Sequence, residues 1–135
     1  MITAVDSAIL IDIVGADATF GRASLTALSD AQMAGGVVAS EVVWSEAGAG
    51  FEELEAFRGA MDDMGVRFSA LSVESAETAG RAWRAYRAGG GPRTRIISDF
   101  LVGAHALIQA DRLLTRDRGF YRRYFSDLVL VDPSG

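Results

Sequence analysis

Two patterns of hydrophobic and polar positions alternate along the chain. Short apolar runs rich in β-branched residues are typical of strands, and longer segments with an apolar residue at every third or fourth position are typical of amphipathic helices. The short runs predict strands at 2–5, 37–39, 66–71, 113–115 and 128–131. The longer segments predict helices at 7–13, 17–34, 41–47, 51–65, 73–88, 96–110 and 120–125. The alternation predicts an α/β fold, a three-layer sandwich with a central, mostly parallel sheet of about four to five short strands and helices on both faces.

Two of the predicted helices show a clear apolar face. Part of the face of the helix at 17–34 is formed by Phe20, Leu25 and Leu28. The helix at 51–65 has an acidic outer side and an apolar stripe made of Phe51, Leu54, Phe57, Met61 and Met64. We expect both faces to belong to the core.

Length and composition predict one compact domain in a reducing compartment. A chain of 135 residues can bury a core without disulfides or a structural metal, so we expect a single domain over 1–135. Cysteine is absent, which excludes a thiol nucleophile and a zinc–thiolate site. The N-terminal stretch holds Asp6 and Asp12 but no basic leader, and no apolar run approaches the roughly 20 residues that cross a bilayer. We therefore expect a cytoplasmic protein with no membrane anchor.

Charge is unevenly spread along the chain. The formal net charge of −5 argues against nucleic-acid binding through overall positive charge. All thirteen basic residues are arginines. Five of them lie between residues 78 and 98 with no acid among them: Arg81, Arg84, Arg87, Arg93 and Arg95. Five more surround Asp117: Arg112, Arg116, Arg118, Arg122 and Arg123. Each of these arginines can lie on a solvated helix face or can contact phosphate.

Four acids are predicted to converge at one edge of the sheet. Asp6 ends the first strand and Asp117 follows the fourth, while Asp99 lies in the first turn of the helix at 96–110. Glu46 lies on the helix that follows the second strand. Because the carboxyl ends of parallel strands meet at one edge, where ligands gather, we expect these four carboxylates to lie close together.

The helix at 41–47 carries two glutamates that helical geometry separates. At about 100° per residue, Glu46 lies about 140° round the helix from Glu41. Glu46 shares the side of Val42 and Val43 and is therefore predicted to face inward, where a charge is costly unless it is paired or bound to metal. Glu41 faces the other way, and its place in the first turn after the predicted N-cap Ser40 explains it.

Four converging carboxylates need a counter-charge, because they otherwise repel one another. Ligands that are all oxygen favour Mg²⁺ or Mn²⁺ over zinc. Such a cation activates water and stabilises the charge that develops on phosphorus, so the predicted site suits phosphodiester hydrolysis. Catalytic and metal-binding roles are predicted for Asp6, Glu46, Asp99 and Asp117.

The residues around Asp117 are candidates for binding substrate. Thr115 can hydrogen-bond a carboxylate or a water near Asp117, and Arg116 and Arg118 can pair with phosphate. Aromatic residues at 120, 121, 124 and 125 follow, on which bases can stack unless the rings belong to the core.

The remaining polar and small residues of the helix at 96–110 are assigned to packing. His105 lies about 9 Å along the helix axis from Asp99 and well round the helix, so it is predicted to pack or to contact a partner rather than to act as a base. Gly103 lies near the stripe of Asp99, which predicts close packing of this helix against a strand.

Four segments in order along the chain, VDSAILIDI, SEVVWSEAGAG, ISDFLVGAHAL and LLTRDRGFYRRYF, resemble the PIN-domain family and, within it, the VapC-type toxins of bacterial toxin–antitoxin pairs. The resemblance covers nearly the whole chain. It implies a PIN-like fold and a Mg²⁺- or Mn²⁺-dependent endoribonuclease that arrests translation by cutting RNA. It also implies a cognate antitoxin with a basic tail and a homodimer. The family's acidic site falls on Asp6, Glu46, Asp99 and Asp117, with Glu41 as the one ambiguous position.

The residues argue against two other functions and leave a third open. A receiver-type phosphoacceptor needs a lysine beside its acids, and the chain has none. A haloacid-dehalogenase-like phosphatase needs a second aspartate two residues after Asp6, where Ala8 stands. A nuclease-inactive binding module of the same fold stays open as the alternative.

Overall fold

The structure, a computed structural model, describes residues 1–92 and 95–134, so Arg93 of the first basic group lies outside the described residues. Within these ranges five strands form one sheet in the order β3-β2-β1-β4-β5. All neighbouring strands pair in parallel. The strands are β1 (Ile2–Val5), β2 (Gly36–Ala39), β3 (Val66–Phe68), β4 (Arg112–Leu114) and β5 (Leu130–Val131).

Helices fill the connections between the strands. In the described ranges they are α1 (Ser7–Val14), α2 (Gly21–Ala34), α3 (Glu41–Gly48), α4 (Leu54–Met64), α5 (Val73–Ala88), α6 (Ile97–Gln109) and α7 (Arg118–Tyr124). The predicted α/β class, with a parallel sheet and helices on both faces, is confirmed. The helix predicted from residue 17 begins only at Gly21, because the Asp17 side chain accepts hydrogen bonds from the backbone amides of Thr19 and Phe20 and holds a turn there.

The strand order creates a crevice at the carboxyl ends of β1 and β4. The chain moves outward from β1 through β2 to β3, then crosses back to β4 on the other side of β1. Right-handed crossovers therefore put the helices that link β1, β2 and β3 on one face and those between β3 and β4 on the other. Ligand groups collect outside the carboxyl ends of strands at such a reversal point.

The core lies against both faces of the sheet, and two residues predicted to belong to it do not. Leu25 of α2 is 49% exposed and Leu54 of α4 is 59% exposed. In α2 the buried positions are instead small residues or Leu28, a set that includes Gly21, Ser24 and Ala31. The side of α2 that packs is therefore the one whose small side chains let the helix approach its neighbours closely, and not the one with large apolar side chains.

Gly103 of α6 is required by packing, as predicted, although its neighbour is not a strand. A Cβ atom at this position would lie 2.5 Å from the ring of Phe125, just beyond the C-terminal end of α7. The aromatic rings at 100, 120, 124 and 125 pack together around this contact. Phe120 and Phe125 thus belong to the core, and a base cannot stack on them without displacing other rings. Across the part of the chain that the structure describes, no helix is long and apolar enough to cross a membrane.

Candidate active site

Two hydrogen-bonded side chains mark the carboxyl edge of β1 and β4. Asp6 directly follows β1 and Thr115 directly follows β4, and the parallel register of these strands brings the two residues side by side. Thr115 Oγ1 donates to Asp6 Oδ2 at 2.8 Å and accepts from the backbone amide of Asp117 at 3.0 Å. Thr115 is completely buried, with 0% exposure. One buried hydroxyl therefore fixes the positions of two of the predicted acids.

Asp6 is held in an environment that disfavours its charge. Its Oδ1 accepts a hydrogen bond from the backbone amide of Ser7 at 2.9 Å and so caps α1. Burial raises the pKa of Asp6, and the charges of Glu46 and Asp117 raise it further, against the hydrogen bonds from Thr115 and Ser7 that lower it. A bound cation would relieve this strain on the charged form, which is the electrostatic signature expected of a metal-binding carboxylate.

A guanidinium lies between the other two aspartates. Arg95 Nη1 is 2.7 Å from Asp117 Oδ2 and 3.9 Å from Asp99 Oδ1. The same guanidinium lies 4.4 Å from the centre of the Phe120 ring. The hydrogen bond to Asp117 is the main cause that raises the pKa of Arg95. Arg95 therefore supplies the counter-charge that was expected from a metal ion.

Asp99 and Asp117 stay accessible despite this ion pair. Their side chains are 31% and 41% exposed, respectively. Asp99 lies in the first turn of α6, and its Oδ2 accepts a hydrogen bond from the amide of Ile96 at 3.1 Å. This bond explains why an otherwise apolar helix opens with an acid, and it leaves Oδ1 toward Arg95.

Glu46 is not the inward-facing residue that helical phase predicted, because its side chain is exposed. Its charge nevertheless acts on Asp6 and raises the pKa of that carboxyl. Glu46 thus lies at the solvent rim of the acidic cleft, where a charge needs no buried partner. Glu41 points elsewhere, since its Oε1 accepts a hydrogen bond from the Leu71 amide at 2.9 Å and its charge acts on His105.

Tyr121 is a buried residue whose pKa is affected by the acids. Burial, followed by the charges of Asp6, Asp99 and Asp117, raises the pKa of its phenol, whereas the charge of Arg95 lowers it. No local pattern in the sequence pointed to this tyrosine. Arg95 was likewise noted only as one of several arginines, because an ion pair across 22 residues leaves no local pattern.

A further polar group lies at the same edge. Ser40 directly follows β2, and extending the pairing of Ala4 with Val38 by two residues places it opposite Asp6. Ser40 is 1% exposed, and its Oγ makes no hydrogen bond with the described residues, so the predicted side-chain cap of α3 is absent. A buried hydroxyl without a partner is costly and marks a position that water or a ligand oxygen would satisfy.

The donor chemistry at this edge fits Mg²⁺ or Mn²⁺, since it consists of carboxylate and hydroxyl oxygens. In residues 1–92 and 95–134, however, no three carboxylate or imidazole side chains stand in an arrangement that could hold a metal ion. The guanidinium of Arg95 lies between Asp99 and Asp117, so a cation bound by these two acids together would have to displace it.

Two of the three predicted substrate-binding residues have other contacts. Arg116 is committed to Asp12, with Nε at 2.8 Å and Nη2 at 3.0 Å, and it lies over the Phe20 ring at 4.0 Å. It therefore anchors the loop after β4 to α1 instead of reaching for phosphate. Arg118 Nε lies 2.7 Å from Asp132 Oδ2. Thr115 positions the acids from beneath and is too deeply buried to meet a substrate directly.

His105 is a packing residue, in agreement with its prediction. It is 2% exposed, and its Nε2 lies 3.0 Å from Ser69 Oγ. Burial lowers the pKa of His105, against the hydrogen bond to Ser69 and the charge of Glu41, which raise it. The His105 contact with Ser69 ties α6 to the segment after β3.

Two further surface features are an apolar groove and a larger pocket. An apolar groove of about 140 Å³ runs between α1, α3 and α4, and it is lined by Leu10, Ile11, Val14, Gly15, Ala47, Gly50, Phe51, Phe57, Met61 and Met64. Ile11 and Val14 are 52% and 45% exposed, so apolar surface is open to a partner there. On another side, a larger pocket of about 480 Å³ includes Arg95 among its lining residues.

Comparison with known proteins gives a family and a set of similar folds. The model of the PIN domain family matches residues 3–126. Similar solved structures include VapBC2 from Rickettsia felis bound to a DNA fragment from its promoter, with 16% identity, 98% of both chains covered and a TM-score of 0.75. VapBC-1 from nontypeable Haemophilus influenzae has 18% identity, covers 100% of both chains and has a TM-score of 0.73. A toxin–antitoxin complex from Klebsiella pneumoniae has 18% identity, 97% coverage of both chains and a TM-score of 0.69. The comparison with curated protein sequences found no match.

Proposed function

This chain belongs to the PIN-domain family, and from that premise we propose that it is a Mg²⁺- or Mn²⁺-dependent endoribonuclease that acts as the toxin of a VapC-type toxin–antitoxin pair. PIN domains are generally nucleases. The observation that carries the proposal is the gathering of Asp6, Asp99 and Asp117 at the carboxyl edge of β1 and β4. Two contacts support it, since Thr115 joins Asp6 to the Asp117 backbone and Arg95 bridges Asp117 and Asp99.

In this proposal each side chain at the edge has a separate task. A bound divalent cation would supply activation of the attacking water and stabilisation of charge on the phosphorus centre. Asp6, Asp99 and Asp117 would hold this cation, and Glu46 would add a carboxylate at the rim that could orient water. Thr115 keeps Asp6 and the Asp117 backbone in place, so the site needs little reorganisation on that side.

We propose an antitoxin as the protein partner of this chain, in the apolar groove between α1, α3 and α4. Support comes from the similar solved structures, which include a toxin–antitoxin complex. A basic tail on that partner would complement the acids, as Arg95 illustrates from within the chain. A homodimer and a cytoplasmic location belong to the same proposal.

Cleavage of RNA tests the enzyme assignment. We expect the purified protein to cut a fluorogenic single-stranded RNA when Mg²⁺ or Mn²⁺ is present and to stop in excess chelator. Asp99→Asn should lose about a thousandfold in rate, because a cation ligand that stabilises the transition state by several kcal/mol is weakened. Asp63→Asn, an exposed aspartate of α4, is the matched control and should cut at the wild-type rate. Equal rates in wild type and Asp99→Asn would refute the site.

A nuclease-inactive binding module of the same fold is the second candidate. One observation favours it, namely that Arg95 already neutralises Asp99 and Asp117. This candidate predicts that the protein takes up no measurable Mn²⁺ in a calorimetric titration and cuts no RNA. Metal uptake without a suitable RNA substrate would instead point to the nuclease and to a narrow substrate choice.

A further inference from the structure

A pocket of about 480 Å³ opens beside the acidic cleft and shares one residue with it. It is lined by Trp83, Tyr86, Arg87, Gly91, Pro92 and Arg95. Arg95 is the shared residue, because its guanidinium also reaches Asp117 at 2.7 Å. The described residues that line this pocket include two arginines and two aromatic rings and no acid. Its charge is therefore opposite to that of the neighbouring cleft.

The walls of the pocket are fixed by packing. Tyr86 is 5% exposed, its ring packs against Phe100 at 5.3 Å, and its hydroxyl donates to the carbonyl oxygen of Pro92. A Cβ atom at Gly91 would lie 2.3 Å from the Tyr86 ring, so the chain can pass there only as glycine. These contacts give the pocket one rigid wall.

A second part of the pocket lining is aromatic and cationic. The guanidinium of Arg87 lies 5.0 Å from the centre of the Trp83 ring. Trp83 is half-buried, whereas Arg87 is exposed. Nucleobases stack on both indole rings and guanidinium planes, and the arginines beside them pair with phosphate. An aliphatic small molecule could pack on the ring but would not pair with the arginines. An acidic small molecule could pair with the arginines but would not stack.

We propose that this pocket binds one nucleotide of single-stranded RNA next to the phosphodiester that is cut, with its base against Trp83 and Arg87. The proposal rests on the ribonuclease function and adds where the substrate is held. Arg95 connects the two sites, since it borders the pocket and contacts the acids. A phosphate that draws Arg95 toward the pocket would free Asp99 and Asp117 for the cation. Substrate binding and metal binding would thereby assist each other.

The local charge of α5 supports RNA over a protein segment as occupant. The second half of this helix carries Arg81, Arg84 and Arg87, and its acids lie at positions 74 and 77 in the first half. Stacking on a planar wall is a property of bases, which an acidic peptide does not share. An acidic peptide would still be attracted by the charge alone, so the test includes it.

Steady-state cleavage kinetics distinguish RNA binding in the pocket from a general attraction of RNA to positive surface charge. With a fluorogenic single-stranded RNA and Mn²⁺, Trp83→Ala and Arg87→Gln should each raise KM about tenfold, since a stacked base contributes roughly 1–3 kcal/mol. Arg58→Gln is the control, because it removes an exposed arginine of α4 that does not line the pocket. It should change KM by less than about twofold, the size expected of one distant surface charge.

Fluorescence gives a readout that does not depend on activity. Trp44→Phe leaves Trp83 as the one tryptophan of the chain. Adding an uncleaved RNA octamer in chelator should quench this fluorescence, because a stacked base contacts the indole directly. A peptide of eight glutamates at the same concentration should leave it unchanged.

The outcomes separate the pocket from the function on which it rests. If the wild type cuts RNA while Trp83→Ala and Arg87→Gln keep its KM, the pocket proposal is wrong and the ribonuclease stands. If RNA leaves the Trp83 fluorescence unquenched, or the glutamate peptide quenches it as strongly, the pocket does not select bases. If the wild type takes up no Mn²⁺ and cuts no RNA, both proposals fall together.

Discussion

The acidic edge of the sheet consists of two halves that are held in different ways. In the first half, Asp6 follows a central strand and receives a hydrogen bond from the fully buried Thr115 at 2.8 Å. In the second half, Asp99 and Asp117 lie on a helix start and a loop, are 31% and 41% exposed, and share Arg95. The first half is fixed by the sheet, and the second is set by one arginine of a neighbouring loop.

This difference shows which part of the site is ready for a cation and which must change. Asp6 has a raised pKa, and within residues 1–92 and 95–134 no salt bridge reaches its carboxylate. Asp99 and Asp117 are already compensated by Arg95. A divalent cation therefore has to compete with Arg95 in the second half but not in the first. The substitutions below test each half in turn.

Asp6→Asn removes a carboxylate from the half that the sheet fixes and should have the largest effect on RNA cleavage. Asparagine keeps the cap to Ser7 and accepts from Thr115, so the fold should persist, while one carboxylate ligand is lost. We expect RNA cleavage to fall about a thousandfold, the result of several kcal/mol of lost transition-state stabilisation. Initial rates in Mn²⁺ measure this, with Asp62→Asn on the exposed face of α4 as control. A rate within tenfold of wild type would remove Asp6 from the site.

Arg116→Ala tests the anchor of the loop that carries Asp117. Arg116 pairs with Asp12, whose side chain is 7% exposed, so its loss leaves a buried charge without its partner. We expect the free energy of unfolding to fall by about 3 kcal/mol, the low end for a broken buried pair because Arg116 is itself 28% exposed. Urea unfolding measures the change.

The matched control for Arg116 is a surface pair. Arg58→Ala removes an ion pair to Glu55 whose side chains are 62% and 83% exposed. Its cost should stay below about 1 kcal/mol. If both variants lost equal stability, the Asp12 pair would be no more than a surface contact, and Arg116 would again be available to substrate.

Thr115→Val separates the hydroxyl from the shape of its side chain. Valine fills the same volume but leaves Asp6 and the Asp117 amide without their shared partner, which should cost about 1–3 kcal/mol of stability. Cleavage should fall as well, because the two acids are no longer tied together. Thr115→Ser keeps the hydroxyl and should restore most of the cleavage rate. A serine variant as inactive as valine would show that the methyl group, not the hydrogen bond, matters.

His105→Gln should have the smallest effect, a change in how stability depends on pH. Burial lowers the pKa of His105 below the ordinary 6.5. As the pH falls through 6.5, His105 therefore takes up a proton more readily in the unfolded chain than in the folded chain. This contribution to stability is complete above pH 6.5 and is lost as the pH falls toward the depressed value. Urea unfolding at pH 7.5 and 5.5 should therefore show a slightly larger loss for wild type than for His105→Gln. Equal losses would mean that folding does not lower the pKa of His105.

The sequence predicts the residues at strand ends better than the contacts between distant side chains. Asp6 and Asp117 follow from strand ends, because strand position alone determines where such residues meet. Glu46 was assigned inward by helical phase, yet phase fixes only an angle and not how far a helix projects beyond the sheet. Arg95 and the Asp12 pair of Arg116 join residues 22 and 104 positions apart, which no local pattern encodes.

The fold itself shows the same limit on a smaller scale. Strands and helices were predictable because buried runs and apolar faces repeat along the chain. Leu25 was placed in the core for its apolar side chain, whereas α2 packs through Gly21, Ser24 and Ala31. Small residues carry little hydrophobic signal, so close packing between elements has to be observed in three dimensions.

Calorimetric titration with Mn²⁺ tests whether the two halves of the acidic edge form one cation site for which Arg95 competes. The wild type should bind Mn²⁺, and Asp99→Asn should lose most of that binding. Arg95→Gln should bind up to about fivefold more tightly, because an exposed ion pair worth up to about 1 kcal/mol no longer competes. Equal Mn²⁺ binding by wild type and Asp99→Asn, or weaker binding by Arg95→Gln, would contradict the account.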